Sequence, residues 1–223
     1  MNILIVSAFI SPQSLTAALH NAALGTLERA GHTVSVTSLY SQQFNPVAST
    51  LDFTVSSGVS ANYMFEQQRT ANTQSEFSPD IQTEMKKVSD ADIILFHFPL
   101  WWGSPPAIMK GWFERIFAMG FAWDADHRYE QGLLKGKRAL ICVNAGDPDA
   151  YYSADGMHRA SIVQHLYPLL HGTLAFCGMD VLQPIIVSNV TAADSAQTDM
   201  QIKDYQTILG SIEQFNKYLY KHA

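Results

Sequence analysis

The chain has 223 residues, 47% of them hydrophobic and 15% charged, enough apolar content to bury a sizeable core within one domain spanning residues 1–223. Its net charge of −6 is spread without a basic stripe, the longest cationic clusters being Lys86-Lys87 and the KGKR run at 135–138, which argues against a nucleic-acid partner. No apolar run approaches membrane-spanning length, and the opening MNILIVSAF lacks a basic n-region and breaks at Ser7, so the expectation is a soluble, cytoplasmic protein.

The run ILIVSA (3–8) reads as a buried strand, and Leu15, Ala18, Leu19, Ala22 and Ala23 after it share one helical face. TVSVTSL (33–39) reads as a second strand. The segment from Tyr40 to Ser78 is rich in Ser, Asn, Gln and Thr and lacks strong periodicity. It is long for a connection, and Tyr63, Phe65 and Phe77 argue against a solvated linker, so it is expected to be functional or an oligomer contact. DIILFHF (92–98) is the third strand, with His97 read as a core histidine, and Ile108, Met109, Trp112, Phe113, Ile116 and Phe117 share the face of the helix that follows. ALICVN (139–144) and VLQPIIVS (181–188) complete the strands, and Ile202, Tyr205, Ile208, Leu209, Ile212, Phe215 and Leu219 mark a last helix. Five apolar strands alternating with helices predict an α/β fold: a flavodoxin-like doubly wound sheet of five parallel strands with helices on both faces, and ligands outside the carboxyl ends of the strands. Cys142 and Cys177 lie inside apolar runs without CxxC spacing, which predicts buried thiols in a reducing compartment.

The carboxyl-end loops carry the chemistry. AFISPQSLTAAL, after the first strand, has neither G-x-G-x-x-G nor G-x-x-x-x-G-K-[ST], which excludes the usual nicotinamide and nucleotide-hydrolysing motifs. Ser11, Ser14 and Thr16 remain around a helix N-terminus, able to hold a phosphate or simply to cap the helix. After the third strand, Pro99, Leu100, Trp101 and Trp102 form an aromatic loop that suits either a planar ring or a neighbouring subunit. After the fourth, NAGDPDAYYSADGMH presents Tyr152, a phenol donor, and His158, which exchanges a proton near neutral pH. A phosphate cap, a ring slot and a Tyr/His pair on three adjacent loops point to one planar, phosphorylated cofactor, a flavin. The absence of G-x-S-x-G and H-E-x-x-H motifs, and of any Cys/His cluster, argues against a serine hydrolase and a dedicated metal site.

The stretches FPLWWGSPPAIMKGWFERIF, GFAW, DAYYSADGMH and LAFCGMDVLQP, with SDADIILFHFPL and LYSQQFNP, resemble the flavodoxin-like NAD(P)H:quinone oxidoreductases, the family of DT-diaphorase, modulator of drug activity B and the flavoprotein ancillary subunits of potassium-efflux systems. The resemblance runs from about Ile3 to about Pro184. It implies a two-electron, ping-pong enzyme in which NAD(P)H reduces a flavin, FAD in preference to FMN, and a quinone then takes the same slot. It also implies that Ser14, Leu15 and Thr16 hold the flavin phosphates, that Pro99, Leu100, Trp101, Trp102 and Gly103 line the isoalloxazine edge, and that Asn144, Ala145, Gly146 and Asp147 form the next flavin-contacting loop. Tyr152 and His158 match the pair that hydrogen-bonds the flavin pyrimidine end, Tyr152 as part of the cofactor site, and stabilises charge developing there, and Trp102, Trp123 and His158 border the quinone. Departures from the family pattern are Phe9 and Trp101, where relatives can have His and Gln, and Trp123 and Ala125, where they have tyrosines. The family places its active site at the interface of a symmetric homodimer. Alternatives of another class are a regulatory flavoprotein subunit of a potassium-efflux system and a one-electron carrier, the latter disfavoured by the modest charge.

Overall fold

Alternation decides the layering. Successive residues of a strand face opposite ways, and here both sets are apolar, so the sheet must be covered on both faces. The computed structural model describes residues 1–55, 63–191 and 193–218. Strands β1 (Asn2–Ser7), β2 (Thr33–Ser38), β3 (Ile93–Pro99), β4 (Arg138–Asn144), β5 (Asp180–Val181) and β6 (Ile185–Val187) form a parallel sheet in the order β2-β1-β3-β4-β5, with β6 also on β4. That is the doubly wound order the strand pattern predicts. Helices α1 (Leu15–Arg29), α2 (Tyr63–Gln74), α3 (Pro79–Asp90), α4 (Ala107–Ile116), α5 (Ile162–His165), α6 (Tyr167–Leu169) and α7 (Ser195–Leu209) connect and flank the strands, and a π-helical turn, Leu170–Ala175, follows α6.

Ile3, Ile5, Ile93, Leu95 and Leu140 share one core with Leu19, Ala23 and Leu27 of α1 and Tyr205 and Leu209 of α7. Leu4, Val6, Ile94, Phe96 and Ile141, one residue out of phase with that set, share the other with Ile81, Met85 and Val88 of α3 and Met109, Trp112 and Phe113 of α4. Cys142 and Cys177 are buried and free, and burial pushes both thiols up to about 12.

Four expectations change in detail. The fifth strand is two pieces: β4 pairs Ala139 with Val181 but Cys142 with Ile185, so three residues (182–184) stand opposite two. Pro184, which has no N–H for the ladder, sits in that bulge. The buried face of α1 is turned from the predicted one and comprises Thr16, Ala17, Leu19, His20, Ala23 and Leu27: Thr16 hydrogen-bonds Asn144 beneath it, and His20 packs its ring edge-on against His97. The last helix stops at Leu209, and Ile212 belongs to a separate 3-10 turn, Ile212–Gln214; Leu219 lies outside the described residues. The segment 40–78 contains a 3-10 turn, Thr50–Asp52, and α2, while residues 56–62 and the side chain of Tyr63 lie outside the description. Periodicity misses α2 because it buries glutamines: Gln67 donates to the Val55 carbonyl (2.7 Å), and Gln68 accepts from the Met119 N–H (3.1 Å). The first part of the segment lies directly on α4, where a Cβ at residue 111 would meet the Pro46 carbonyl at 2.0 Å, so Gly111 is required there. Buried Arg115 of α4 anchors it through Asp52 (3.0 Å).

On the α1/α7 face a polar layer interrupts the apolar core. Ser7, His97 and Cys142 are side by side in register on β1, β3 and β4. His97, the predicted core histidine, is 1% exposed and lies 2.6 Å from the Tyr205 hydroxyl, which in turn points its proton at Cys142 Sγ (3.4 Å). His20 meets His97 edge-on at 6.1 Å.

Candidate active site

All three loops leave the carboxyl edge of the sheet, and one residue ties them together. Asn144, the last residue of β4, accepts from Thr16 Oγ1 through its side-chain Oδ1 (2.7 Å) and from the Leu100 N–H through its backbone carbonyl (2.8 Å). The α1 loop, the aromatic loop and the Tyr/His loop therefore share a single anchor.

Ser14 caps α1. Its hydroxyl accepts from Ala17 N (3.2 Å) and donates to the Ser11 carbonyl (2.8 Å), while Thr16 is turned inward to Asn144. Both hydroxyl protons are thus engaged, and what this turn offers a ligand is backbone: the first N–H groups of a 15-residue helix, including those of Leu15 and Thr16, have no intrahelical acceptor. No acidic residue stands in the first turn to compete with an anion.

The aromatic loop is a two-residue hairpin. Trp101 and Ser104 exchange N–H···O bonds of 3.0 Å in both directions, and Trp102 (φ +53°) and Gly103 (φ +70°) both occupy the left-handed region that a type I′ turn requires. Gly103 adopts it freely. A tryptophan does so against steric resistance, at a cost on the order of 1–3 kcal/mol, and the result is a side chain standing wholly in solvent (103% relative exposure).

The third loop is braced by the segment after β6, through Asn189 N–H to the Asp147 carbonyl (2.9 Å) and Thr191 N–H to the Gly146 carbonyl (3.2 Å). A 3-10 turn, Asp149–Tyr151, then brings Tyr152 and His158 together: their rings stack with centroids 4.3 Å apart and planes 18° from parallel. Asp147 Oδ2 lies 2.8 Å from His158 Nε2. A carboxylate only accepts, so Nε2 carries the proton in this pair. Burial, then the Asp147 charge, raises the Tyr152 phenol above its ordinary range, so it stays a neutral donor at physiological pH.

Trp123 sits elsewhere in the chain's surface. Its indole N–H donates to the Phe117 carbonyl (3.0 Å), its ring meets Phe65 and Phe176 edge-on at 5.4 and 5.5 Å, and it borders a cavity of about 350 Å³ with Met64, Gln68 and Phe117. Sequence reasoning missed His165, which stands edge-on to both Tyr152 and His158. Lying beyond the Tyr/His loop in a short helix, it carries no motif that would single it out.

A family profile described as flavodoxin-like fold matches residues 1–209. The chain is 42% identical to the human protein named ribosyldihydronicotinamide dehydrogenase [quinone] over 186 residues, 82% of this chain and 80% of that one. It is 39% identical to guinea-pig (Cavia porcellus) NAD(P)H dehydrogenase [quinone] 1 over 182 residues, 81% of this chain and 66% of that one. A crystal structure from Klebsiella pneumoniae of a protein assigned as a quinone reductase superposes with a TM-score of 0.90 at 34% identity, covering 97% of this chain and 86% of that one.

Proposed function

The chain belongs to the flavodoxin-like NAD(P)H:quinone oxidoreductase family, and on that premise we propose that it carries two electrons, as a hydride, from NAD(P)H to a small quinone by way of a bound flavin. The observation that carries the reading is the convergence on Asn144 of three loops that offer free helix-end amides, an exposed indole and a paired phenol and imidazole. Those groups fit a flavin: amides with no acceptor suit its phosphates, and a flat exposed ring suits its isoalloxazine.

Bound there, a flavin supplies an acceptor for the hydride of NAD(P)H and a donor to the quinone, so that NAD(P)H, a proton and quinone become NAD(P)+ and hydroquinone. The chain supplies position and electrostatics. In this reading the Leu15 and Thr16 amides, held by the Ser14 cap, bind the phosphates. Pro99, Leu100, Trp101, Trp102 and Gly103 wall one edge of the ring site, and Asn144, Ala145, Gly146 and Asp147 wall the next. Tyr152, and His158 once its Nε2 proton turns from Asp147 toward the ligand, would donate hydrogen bonds to the negative charge developing on a bound flavin, a role worth about 3–4 kcal/mol where such donors are preorganised. Trp102 and His158, with Trp123 reaching over from a second copy, bound the place that nicotinamide and quinone occupy in turn, which makes the kinetics ping-pong. The apolar surroundings of Trp123 favour its covering the site of a second copy in a symmetric homodimer. FAD is the proposed flavin.

The test is the absorption spectrum of the purified protein under anaerobic conditions. Yellow colour that bleaches with NADPH and returns with menadione is the expected result, and the flavin released by heat distinguishes FAD from FMN. A colourless protein that neither flavin reconstitutes would remove the reading and leave the fold.

A further inference from the structure

His165 closes α5, a helix whose entry is fixed by a capping box: Ser161 Oγ accepts from Gln164 N (3.1 Å), and Gln164 Oε1 accepts from Ser161 N (2.8 Å). Leu166, 1% exposed, pins the exit in the core. From this fixed place the imidazole stands at 90° to Tyr152 and 84° to His158, with centroid distances of 6.2 and 6.3 Å. Near-equal distances put it alongside the Tyr152–His158 stack, not on top of it. Perpendicular contacts of this kind are favourable because positive ring edges meet negative ring faces.

The same ring borders the Trp102–Gly103 turn, where a Cβ at residue 103 would lie 3.1 Å from His165 Nδ1. Its Nε2 is buried, and neither nitrogen has a hydrogen-bond partner among the described residues. An imidazole that engages neither nitrogen serves its surroundings as a flat ring.

We propose that His165 is a positioning residue: its ring braces the Tyr152–His158 stack against the Trp102–Gly103 turn, where the glycine that the positive φ requires also lets the ring lie close against the backbone. The kinetic consequence rests on the quinone-reductase reading above; the structural one does not.

Two substitutions separate shape from nitrogen chemistry. His165→Phe keeps a flat ring and forfeits no hydrogen bond, whereas His165→Leu keeps bulk without a ring. In the full chain without added flavin, the ring current of Tyr152 displaces the His158 imidazole proton signals in an NMR spectrum. His165→Leu is expected to move those signals toward the unstacked position, and His165→Phe to leave them displaced. In flavin-loaded protein, reduction by NADPH should slow about tenfold in His165→Leu and much less in His165→Phe, at equal flavin content, as expected when reacting groups lose their alignment.

Unmoved His158 signals in folded His165→Leu would overturn the proposal. So would equal damage in the two variants, since the phenylalanine lacks only the nitrogens. If His165→Leu does not fold, His165→Met, unbranched and non-aromatic, carries the same expectation. Failure of the wild-type protein to take up flavin would sink the functional reading, while the NMR comparison would still decide the brace.

Discussion

Thr16 donates its hydroxyl proton to Asn144 Oδ1 across 2.7 Å, joining the first turn of α1 to the end of β4 although 128 residues separate them. Both residues are buried, at 4% and 9% exposure, so neither partner has water as a substitute. Thr16→Val, nearly isosteric, strands the amide oxygen and should cost about 1–3 kcal/mol. In a chain of this length each kcal/mol corresponds to roughly 2–4 °C in Tm. Thr16→Ser should recover most of the loss. A melting temperature unchanged in Thr16→Val would mean that this bond does not hold the loops together.

In the proposed reading Tyr152 and His158 hydrogen-bond the flavin and stabilise its developing charge, while most of the cofactor's binding comes from the α1 turn and the two loop walls. Tyr152→Phe combined with His158→Gln should therefore slow flavin reduction by NADPH in stopped flow while flavin stays near stoichiometric. Unchanged reduction rates would remove the pair from the chemistry.

Trp102 combines full exposure with φ +53°, so it gains no burial that would offset its backbone strain. Asparagine tolerates that conformation better. Trp102→Asn should raise stability by about 1 kcal/mol and lower kcat/KM for quinone, the trade expected where strain serves a site. Denaturant titration and steady-state kinetics on the same preparation measure both, and a variant that is more stable with undiminished kcat/KM would show that the indole does not contact the substrate.

Acid stability should depend on His97. Burial, with the neighbouring His20, brings its imidazole down from 6.5 to about 3. The unfolded chain takes up that proton near 6.5 and the folded one only near 3, so the contribution is fully present above 6.5 and is lost as pH falls through the interval. Its size is on the order of a few kcal/mol. His97→Gln should be less stable at neutral pH, through imperfect pairing with Tyr205, and show a shallower decline of its denaturation midpoint between about pH 6.5 and 4. Parallel declines in the two proteins would assign the acid sensitivity to other groups.

Much of this was readable along the chain. Alternating Ile, Leu, Val and Phe in β1, β3 and β4 can only satisfy two covered faces, and that specifies a doubly wound sheet and the edge where its loops gather. The α4 face was legible for the same reason, since Met109, Trp112, Phe113 and Ile116 are apolar at helical spacing and all are buried. That Tyr152 and His158 belong to one loop was plain from the sequence, and the structure stacks them and leaves Trp102 exposed at its type I′ turn.

Periodicity, however, registers only apolar burial. It passed over α2, which packs with Gln67 and Gln68, and turned the face of α1 away from Thr16 and His20. A polar side chain gains most inside where a partner from another element meets it, as Asn144 meets Thr16 and Tyr205 meets His97. The sequence by itself thus determined which strands form the sheet and which loops meet at its edge, because those follow from local apolar pattern. Only the tertiary structure decided which polar atoms pair and where His165 stands, because such pairs form between segments that the fold alone brings within hydrogen-bonding or ring-contact distance.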